Sequence, residues 1–199
     1  MAADQQKTAG LRERKKAKTM AAVQRHAMRL FRESGYHATT VEQIAEAAEI
    51  SPSTFFRYFA TKEDVVSSDN YDPILISAFE EQPADISPLR ALRNAVMAGL
   101  SELSAEELET VWERNRLIVS VPELRASMLN NLSQTMQMIT EMIAKRIDRK
   151  PDDLAVRTMS GAAIGVIISV LLNYAEHPEA NLIQLMDEGL AQLEAGLPL

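Results

Sequence analysis

The stretch that most limits how this chain can fold is residues 35–62, GYHATTVEQIAEAAEISPSTFFRYFATK, which reads as two short helices joined by a tight turn and followed by a third helix start. Thr39 and Thr40 can cap a helix whose apolar positions, Val41, Ile44, Ala45 and Ala48, recur at i, i+3, i+4 and i+7 and so share one face. After a break at Glu49 and Ile50, Ser51 is a good N-cap. Pro52 then suits the first helical position, where its missing N–H is no loss. The second helix, Pro52 to Tyr58, carries Ser53, Thr54 and Arg57, side chains able to donate to bases or phosphates, among the aromatics Phe55, Phe56, Tyr58 and Phe59. Thr61 and Lys62-Glu63-Asp64 open a further helix, and a lysine at a helix N-terminus is a natural phosphate clamp. Together these features predict a helix-turn-helix DNA reader.

At these residues the chain resembles the TetR family of bacterial transcriptional repressors. The shared signature runs through Gly35-Tyr36, Thr39-Thr40, Ile44-Ala45, Ala48, Ser51, Thr54 to Phe59 and Lys62-Glu63. Glu49 stands where a glycine usually makes the turn, Pro52-Ser53 replace a frequent Lys-Gly pair, Phe56 replaces a tyrosine and Ala60 a proline. The resemblance and the residue chemistry assign Thr40, Tyr58 and Lys62 to phosphates and Ser53, Thr54 and Arg57 to base edges. Thr39, Ser51, Pro52 and Phe56 complete the DNA-binding set, and His37 lies beside the Thr39-Thr40 cap.

The net charge of −7 fits a DNA reader only once it is divided along the chain: residues 1–62 carry +5 and residues 63–199 carry −12. A basic head is drawn to phosphate and an acidic body is held away from it. The run Arg12, Arg14, Lys15, Lys16 and Lys18 is expected to act as an arm along the DNA backbone. Residues 1–62 therefore form the expected arm and DNA-binding domain, and residues 63–199 a helical effector-binding and dimerisation domain.

The expected class is all-α. A first helix runs from about Arg12 to Ser34, with Ala22, Val23, His26, Leu30 and Phe31 facing the head's core and Gly35 ending it. A fourth helix from Lys62 must kink or restart at Asp72-Pro73, near Tyr71, and Glu80 to Ser87 is a loop. In the body, Ser87-Pro88 starts a helix to about Leu103, Ser104 with Glu107 forms a capping box, and Pro122 opens a long helix to about Arg149. That helix carries a stripe at spacings of three and four: Leu124, Met128, Leu132, Met136, Ile139, Ile143 and Ile147. Asp152 or Asp153 caps a helix to about Glu176, and a last one spans Glu179 to Glu194.

The helix after Asp153 is apolar nearly all round and contains Gly161-x-x-x-Gly165. Burial on every side is met most easily at a homodimer interface formed by the last two helices. Its longest apolar run, Gly161 to Leu172, falls short of a membrane span, so a cytoplasmic protein without a membrane partner is expected.

Enzymatic signatures are missing from the sequence: there is no G-x-S-x-G, H-E-x-x-H, P-loop or G-x-G-x-x-G. There is also no cysteine, and His26, His37 and His177 read as structural, so neither a catalytic site, a metal site nor a cofactor is expected. Beyond the head, Thr61 to Val66, Asp72-Pro73, Arg116-Leu117 and Pro122 to Arg125 resemble an actinobacterial group of TetR-like regulators described as having an acyl-CoA-like ligand-binding C-terminal domain. The expected apolar pocket is lined by Trp112, Leu117, Val121, Met128, Met136, Met142 and Met159, with Arg114, Arg116 and Arg125 offering cations at its mouth. The partners implied are an inverted-repeat DNA duplex, a second copy of the chain, and an apolar effector that releases a repressor. A fatty acyl thioester leads as effector, with a hydrophobic drug-like molecule, or no effector at all, as the alternatives.

Overall fold

A computed structural model describes residues 2–67, 72–177 and 179–198; the side chains of residues 2–15, 17, 72–74, 129 and 130 lie outside the description. The described residues form α-helices and no strand. The chain divides into two compact units, Met1–Ser68 and Asp69–Leu199.

The first unit holds α1 (Ala2–Ser34), α2 (Val41–Ala47), α3 (Pro52–Tyr58) and α4 (Lys62–Ser67). Helix α1 begins ten residues before the expected start. The side chains of Arg12, Arg14 and Lys15 lie outside the described residues, while Lys16 and Lys18 are exposed. Val23, Ala27, Met28 and Phe31 form the buried stripe of α1, whereas Ala22, His26 and Leu30 are only half-buried. Ile44 and Ala45 of α2, Phe55 and Phe59 around α3, and Val65 and Val66 of α4 complete this small core. Gln24 Nε2 donates to the Val65 carbonyl at 3.3 Å, pinning α4 to α1.

Capping decides where these short helices begin. Thr40 accepts from the Gln43 amide at 3.2 Å, while the Gln43 side chain accepts from the Thr40 amide at 2.8 Å, a full capping box. At the other end of α2, Ile50 N–H reaches the Ala45 carbonyl and Glu49 N–H the Glu46 carbonyl, at 2.9 and 3.0 Å. This is a Schellman turn, and it forces Glu49 to φ +55°, the left-handed region that a glycine would occupy without strain. Ser51 accepts from the Thr54 amide at 3.1 Å and fixes the first turn of α3.

The second unit holds α5 (Asp72–Glu80), α6 (Pro88–Ser101), α7 (Ala105–Ser120), α8 (Pro122–Arg146), α9 (Leu154–Glu176) and α10 (Leu182–Glu194). The expected restart is at Asp72, next to Pro73; Tyr71 lies outside the described residues. The box at Ser104 and Glu107 forms as read, with the Ser104 amide donating to Glu107 Oε2 at 2.8 Å. Helix α8 stops three residues before the expected Arg149. Asp148 turns left-handed (φ +51°), and the Arg149 amide closes back on the Ala144 carbonyl.

Two clusters make the body's core. One gathers Phe79 of α5, Ala91 and Leu92 of α6, Ile139 and Ile143 of α8, and Val156 and Ile164 of α9. The other joins Val111 of α7 to Val170 and Tyr174 of α9 and Leu182, Met186 and Leu190 of α10. At the contact between α10 and α9 the small residue is Gly189. A Cβ there would stand 3.0 Å from Val166 Cγ1 and 3.2 Å from Val170 Cγ2. Gly165 instead faces open space, and Gly161 meets Met136 Cε at an ordinary 3.6 Å.

Helix α9 is long and apolar enough to cross a membrane by length and composition: 23 residues, with a mean hydropathy of 1.9 in its most apolar window. The helix extends beyond the Gly161 to Leu172 run at both ends. Its chain-facing side buries Val156, Ser160, Ala163, Ile164, Val170 and Tyr174, while Leu154 and Leu172 stay exposed.

Helices α6 and α10 are tied by Arg93, whose guanidinium makes a two-pronged contact with Asp187 at 2.6 and 2.7 Å. Arg90 adds a 2.8 Å contact to Glu194. The hydrogen bond from Arg93 holds the Asp187 carboxyl below the ordinary aspartate range. A carboxyl depressed in the folded state adds stability that is complete above its unfolded value of about 3.9 and is lost as pH falls through the folded value. Thermal unfolding followed from about pH 6 to pH 2 should therefore show a gentler acid decline in Arg93→Met than in the parent.

Candidate nucleic-acid interface and effector region

Helix α3 buries one edge and presents the other. Phe55 is fully buried against Phe59, ring centroids 5.6 Å apart, so positions 53, 56 and 57 point outward. Ser53 and Arg57 are exposed, and Phe56 is 52% exposed, its ring meeting the core edge-on at Phe55 with centroids 5.4 Å apart. Arg57 lies over the Tyr58 ring at 5.1 Å, which leans both side chains along one surface. Ser51 Oγ lies 2.9 Å from Ser53 Oγ and 3.0 Å from Thr54 Oγ1. Thr54 is thus half-buried and engaged in the cap, while Pro52 is exposed at the first turn. The outward ridge is Ser53, Phe56 and Arg57.

Two residues of the expected DNA-binding set are turned inward. Thr39 is buried, and its hydroxyl donates to the Gly35 carbonyl at 2.9 Å, so it closes the end of α1 while Thr40 alone caps α2. Lys62 donates to the carbonyls of Tyr36 and Thr39 at 2.9 and 3.0 Å, with its ammonium 4.1 Å from the centre of the Tyr36 ring. The Tyr36 hydroxyl in turn donates to Glu63 Oε1 at 2.5 Å. Burial pulls the Glu63 carboxyl up, but the hydrogen bonds it accepts, that from Tyr36 foremost, outweigh burial and leave it below the ordinary glutamate range. The ammonium is thus committed to holding α4 against the segment between α1 and α2.

Replacing Lys62 by Ala is expected to lower the stability of this unit by about 2 kcal/mol, the scale of charge-assisted hydrogen bonds. Circular dichroism melts of the parent and variant check it; an unchanged melting temperature would return Lys62 to the simple role of phosphate clamp.

In the body, the expected lining residues do not come together among the described residues. Met128 borders a cavity of about 30 Å³ with Asn115, Ile118, Val119, Ile168, Leu171 and Leu172. Met136 is exposed in an open groove of about 590 Å³ between α8 and α9, beside Gln137, Thr140 and Arg157. Met159 faces a shallow depression of about 710 Å³ with Leu89, Leu154 and Leu193. Met142 is core beneath α5 and α6, Val121 is buried at the joint of α7 and α8, and Leu117 is half-buried. Arg116 is exposed and stacks on Trp112 at 5.4 Å; Arg125 is exposed and Arg114 half-buried. The reason is geometric: a 25-residue helix such as α8 passes α5, α7 and α9 in turn, so one apolar stripe meets several neighbours.

Comparison with known proteins decides the family. Residues 25–68 match the family described as bacterial regulatory proteins, tetR family, and residues 86–198 match the MftR C-terminal domain. The HTH-type transcriptional regulator TcmR of Streptomyces glaucescens is 38% identical over 151 residues, 72% of this chain and 67% of that protein. The chain belongs to the TetR family.

Among solved structures, this TetR-family regulator shares its fold with FadR of Bacillus subtilis in complex with stearoyl-CoA, at 20% identity and a TM-score of 0.62, covering 89% of this chain and 99% of that one. FadR of Thermus thermophilus, a TetR-family repressor in complex with lauroyl-CoA, aligns at 24% identity and a TM-score of 0.56, covering 90% of this chain and 95% of that one. As a TetR-family member the chain is a DNA-binding transcriptional regulator and not an enzyme. Regulators of the family bind DNA as dimers. The TetR framework also sharpens two residues that sequence reading passed over. Gly189 sets the α9–α10 approach, and Asn115 is a buried amide facing the cavity at Met128. Gly189 had no partner glycine to draw attention to it, and Asn115 breaks the apolar pattern of α7, which is the signal that could have found it.

Proposed function

We propose that this regulator is a repressor that reads an inverted-repeat operator as a homodimer and releases it when an apolar effector, foremost an acyl-CoA, enters the body. The observation that carries the reading is the outward ridge of Ser53, Phe56 and Arg57 on a helix whose start is fixed by the Ser51 cap. Its hydroxyl and guanidinium suit base edges, and Phe56 suits an apolar contact such as a thymine methyl. The +5 charge of residues 1–62 favours phosphate.

A second copy packed on the exposed side of α9 would cover Leu154 and Leu172 and bring the two ridges under one two-fold axis. On this reading α9 is an interface helix in a cytoplasmic protein rather than a membrane span. The acyl-CoA assignment draws on the FadR proteins, which share the fold and are bound to stearoyl-CoA and lauroyl-CoA. Ligand pockets commonly enclose roughly 300–1,000 Å³, so an acyl chain entering beside Met128 must spread α7, α8 and α9. That spreading is the differential interaction through which an effector shifts the DNA-binding equilibrium.

Titrating acyl-CoAs of increasing chain length against the operator complex, read by fluorescence anisotropy, tests the effector role. The expected result is release that strengthens with chain length to an optimum. An operator complex indifferent to every chain length would leave a helical DNA-binding dimer without an acyl effector.

A further inference from the structure

Among the described residues, helix α7 carries two buried N–H donors without a partner, Asn115 Nδ2 and Trp112 Nε1, three positions apart and therefore on one face. Asn115 is 8% exposed and lines the small cavity, whose other side chains are Ile118, Val119, Met128, Ile168, Leu171 and Leu172. A buried amide with no acceptor is costly, on the order of 1–3 kcal/mol, whereas an apolar residue of similar shape at the same place would carry no such penalty. Water is a poor remedy there. It needs two to four polar partners, and the cavity wall offers the Asn115 amide among methyl, methylene and thioether groups. The wall facing the amide is nonetheless adaptable, since Met128 can swing aside without loss of apolar cover.

We propose that Asn115, seconded by Trp112, is the specificity donor of the effector site, holding a carbonyl oxygen on an otherwise apolar ligand lodged among α7, α8 and α9. This rests on the reading that the body takes an apolar effector, and it adds the chemistry that sorts one apolar molecule from another. A site built around a hydrogen-bond donor rejects an analogue without the acceptor, because the donor is then left buried and unpaired. A plain hydrocarbon of the same shape therefore binds less well than its carbonyl counterpart. The carbonyl can be the thioester of an acyl chain or a ketone set in a ring, and the two are separable by experiment.

The test uses the full-length protein, isothermal calorimetry and thermal melts with three probes: 9-fluorenone, fluorene, which is the same skeleton without the carbonyl, and lauroyl-CoA. The expected result is that the parent binds fluorenone about tenfold more tightly than fluorene, the scale of one net hydrogen bond. In Asn115→Leu that preference falls to near unity with fluorene affinity retained, and the unliganded protein melts at a higher temperature. Trp112→Phe keeps the ring, removes the N–H and narrows the preference in the same direction. Asn115→Leu losing lauroyl-CoA affinity together with the fluorenone preference extends the donor role to a thioester; lauroyl-CoA affinity unchanged while the fluorenone preference falls confines it to a ring ketone. Equal affinity for fluorenone and fluorene in the parent, or a preference that survives both substitutions, overturns the donor role while the effector reading stands. A lower melting temperature or failure to fold in Asn115→Leu, with the fluorenone preference intact in Trp112→Phe, makes the amide structural and also overturns it. No binding of any probe to the parent overturns both.

Discussion

Leucine in place of Gly165 is expected to split the dimer without harming the subunit. Within one chain an added Cβ at Gly165 meets nothing within 4 Å, and glycine is the poorest residue for a helix interior after proline, so the isolated protomer gains about 1 kcal/mol of helix stability. Between two copies the same side chain stands on the face that carries Leu154 and Leu172, where a close helix approach needs a small residue. Overpacking a well-fitted contact costs about 1–3 kcal/mol, and a two-fold axis applies the cost twice. Sedimentation velocity at micromolar concentration should show a dimer for the parent and a monomer for the variant, with helix content retained and operator affinity lost. A variant that stays dimeric would move the interface off this face. The contrast with Gly189 is instructive, because there the same substitution would drive into Val166 and Val170 of its own chain and unsettle the α9–α10 packing instead.

Alanine in place of Arg57 is expected to weaken operator binding by about 1–3 kcal/mol and to relax the preference at the bases it reads. The side chain is exposed and its recorded contacts are with the neighbouring Tyr58, so the substitution leaves the fold of the first unit in place. Binding measured against a panel of operators, each changed at one base pair, should show discrimination lost at one or two positions and kept elsewhere. Equal weakening on every sequence, with a smaller salt slope, would make Arg57 a phosphate contact. Lys62→Ala separates from both outcomes, since its loss of binding should come with a lower melting temperature.

The helix-turn-helix was legible because its information is local. A cap is a contact between residues three apart, so Thr40 with Gln43, Ser51 with Thr54, and Ser104 with Glu107 could be read from spacing alone. Even there a neighbouring pair left a choice, and only the fold shows that Thr40 caps while Thr39 turns back to the Gly35 carbonyl. Lys62 shows a related limit. The chemistry of a lysine at a helix start is visible in sequence, but the two carbonyls that claim it lie 23 and 26 residues earlier.

The body was legible as helices and not as a site. Apolar spacing identifies Leu124, Ile139 and Ile143 as buried, yet the same stripe includes Met136, which ends in an open groove. Whether a glycine lets two helices approach depends on what faces it, which is why Gly189 and not Gly161 or Gly165 marks the tight contact inside the chain. Asn115 shows the converse: one polar residue in an apolar face has a meaning only when its described neighbours are known to offer it no acceptor.

The central claim is that this protein reads a palindrome through the Ser53–Phe56–Arg57 ridge of two paired subunits. Selection of binding sites from a random duplex pool with the full-length protein tests it most directly. The expected result is enrichment of an inverted repeat whose half-site centres lie about 34–36 Å apart, or a multiple of that distance, with affinity falling steeply as salt is raised. A pool that returns no inverted repeat, or a protein that binds every duplex alike at a given salt concentration, would contradict it.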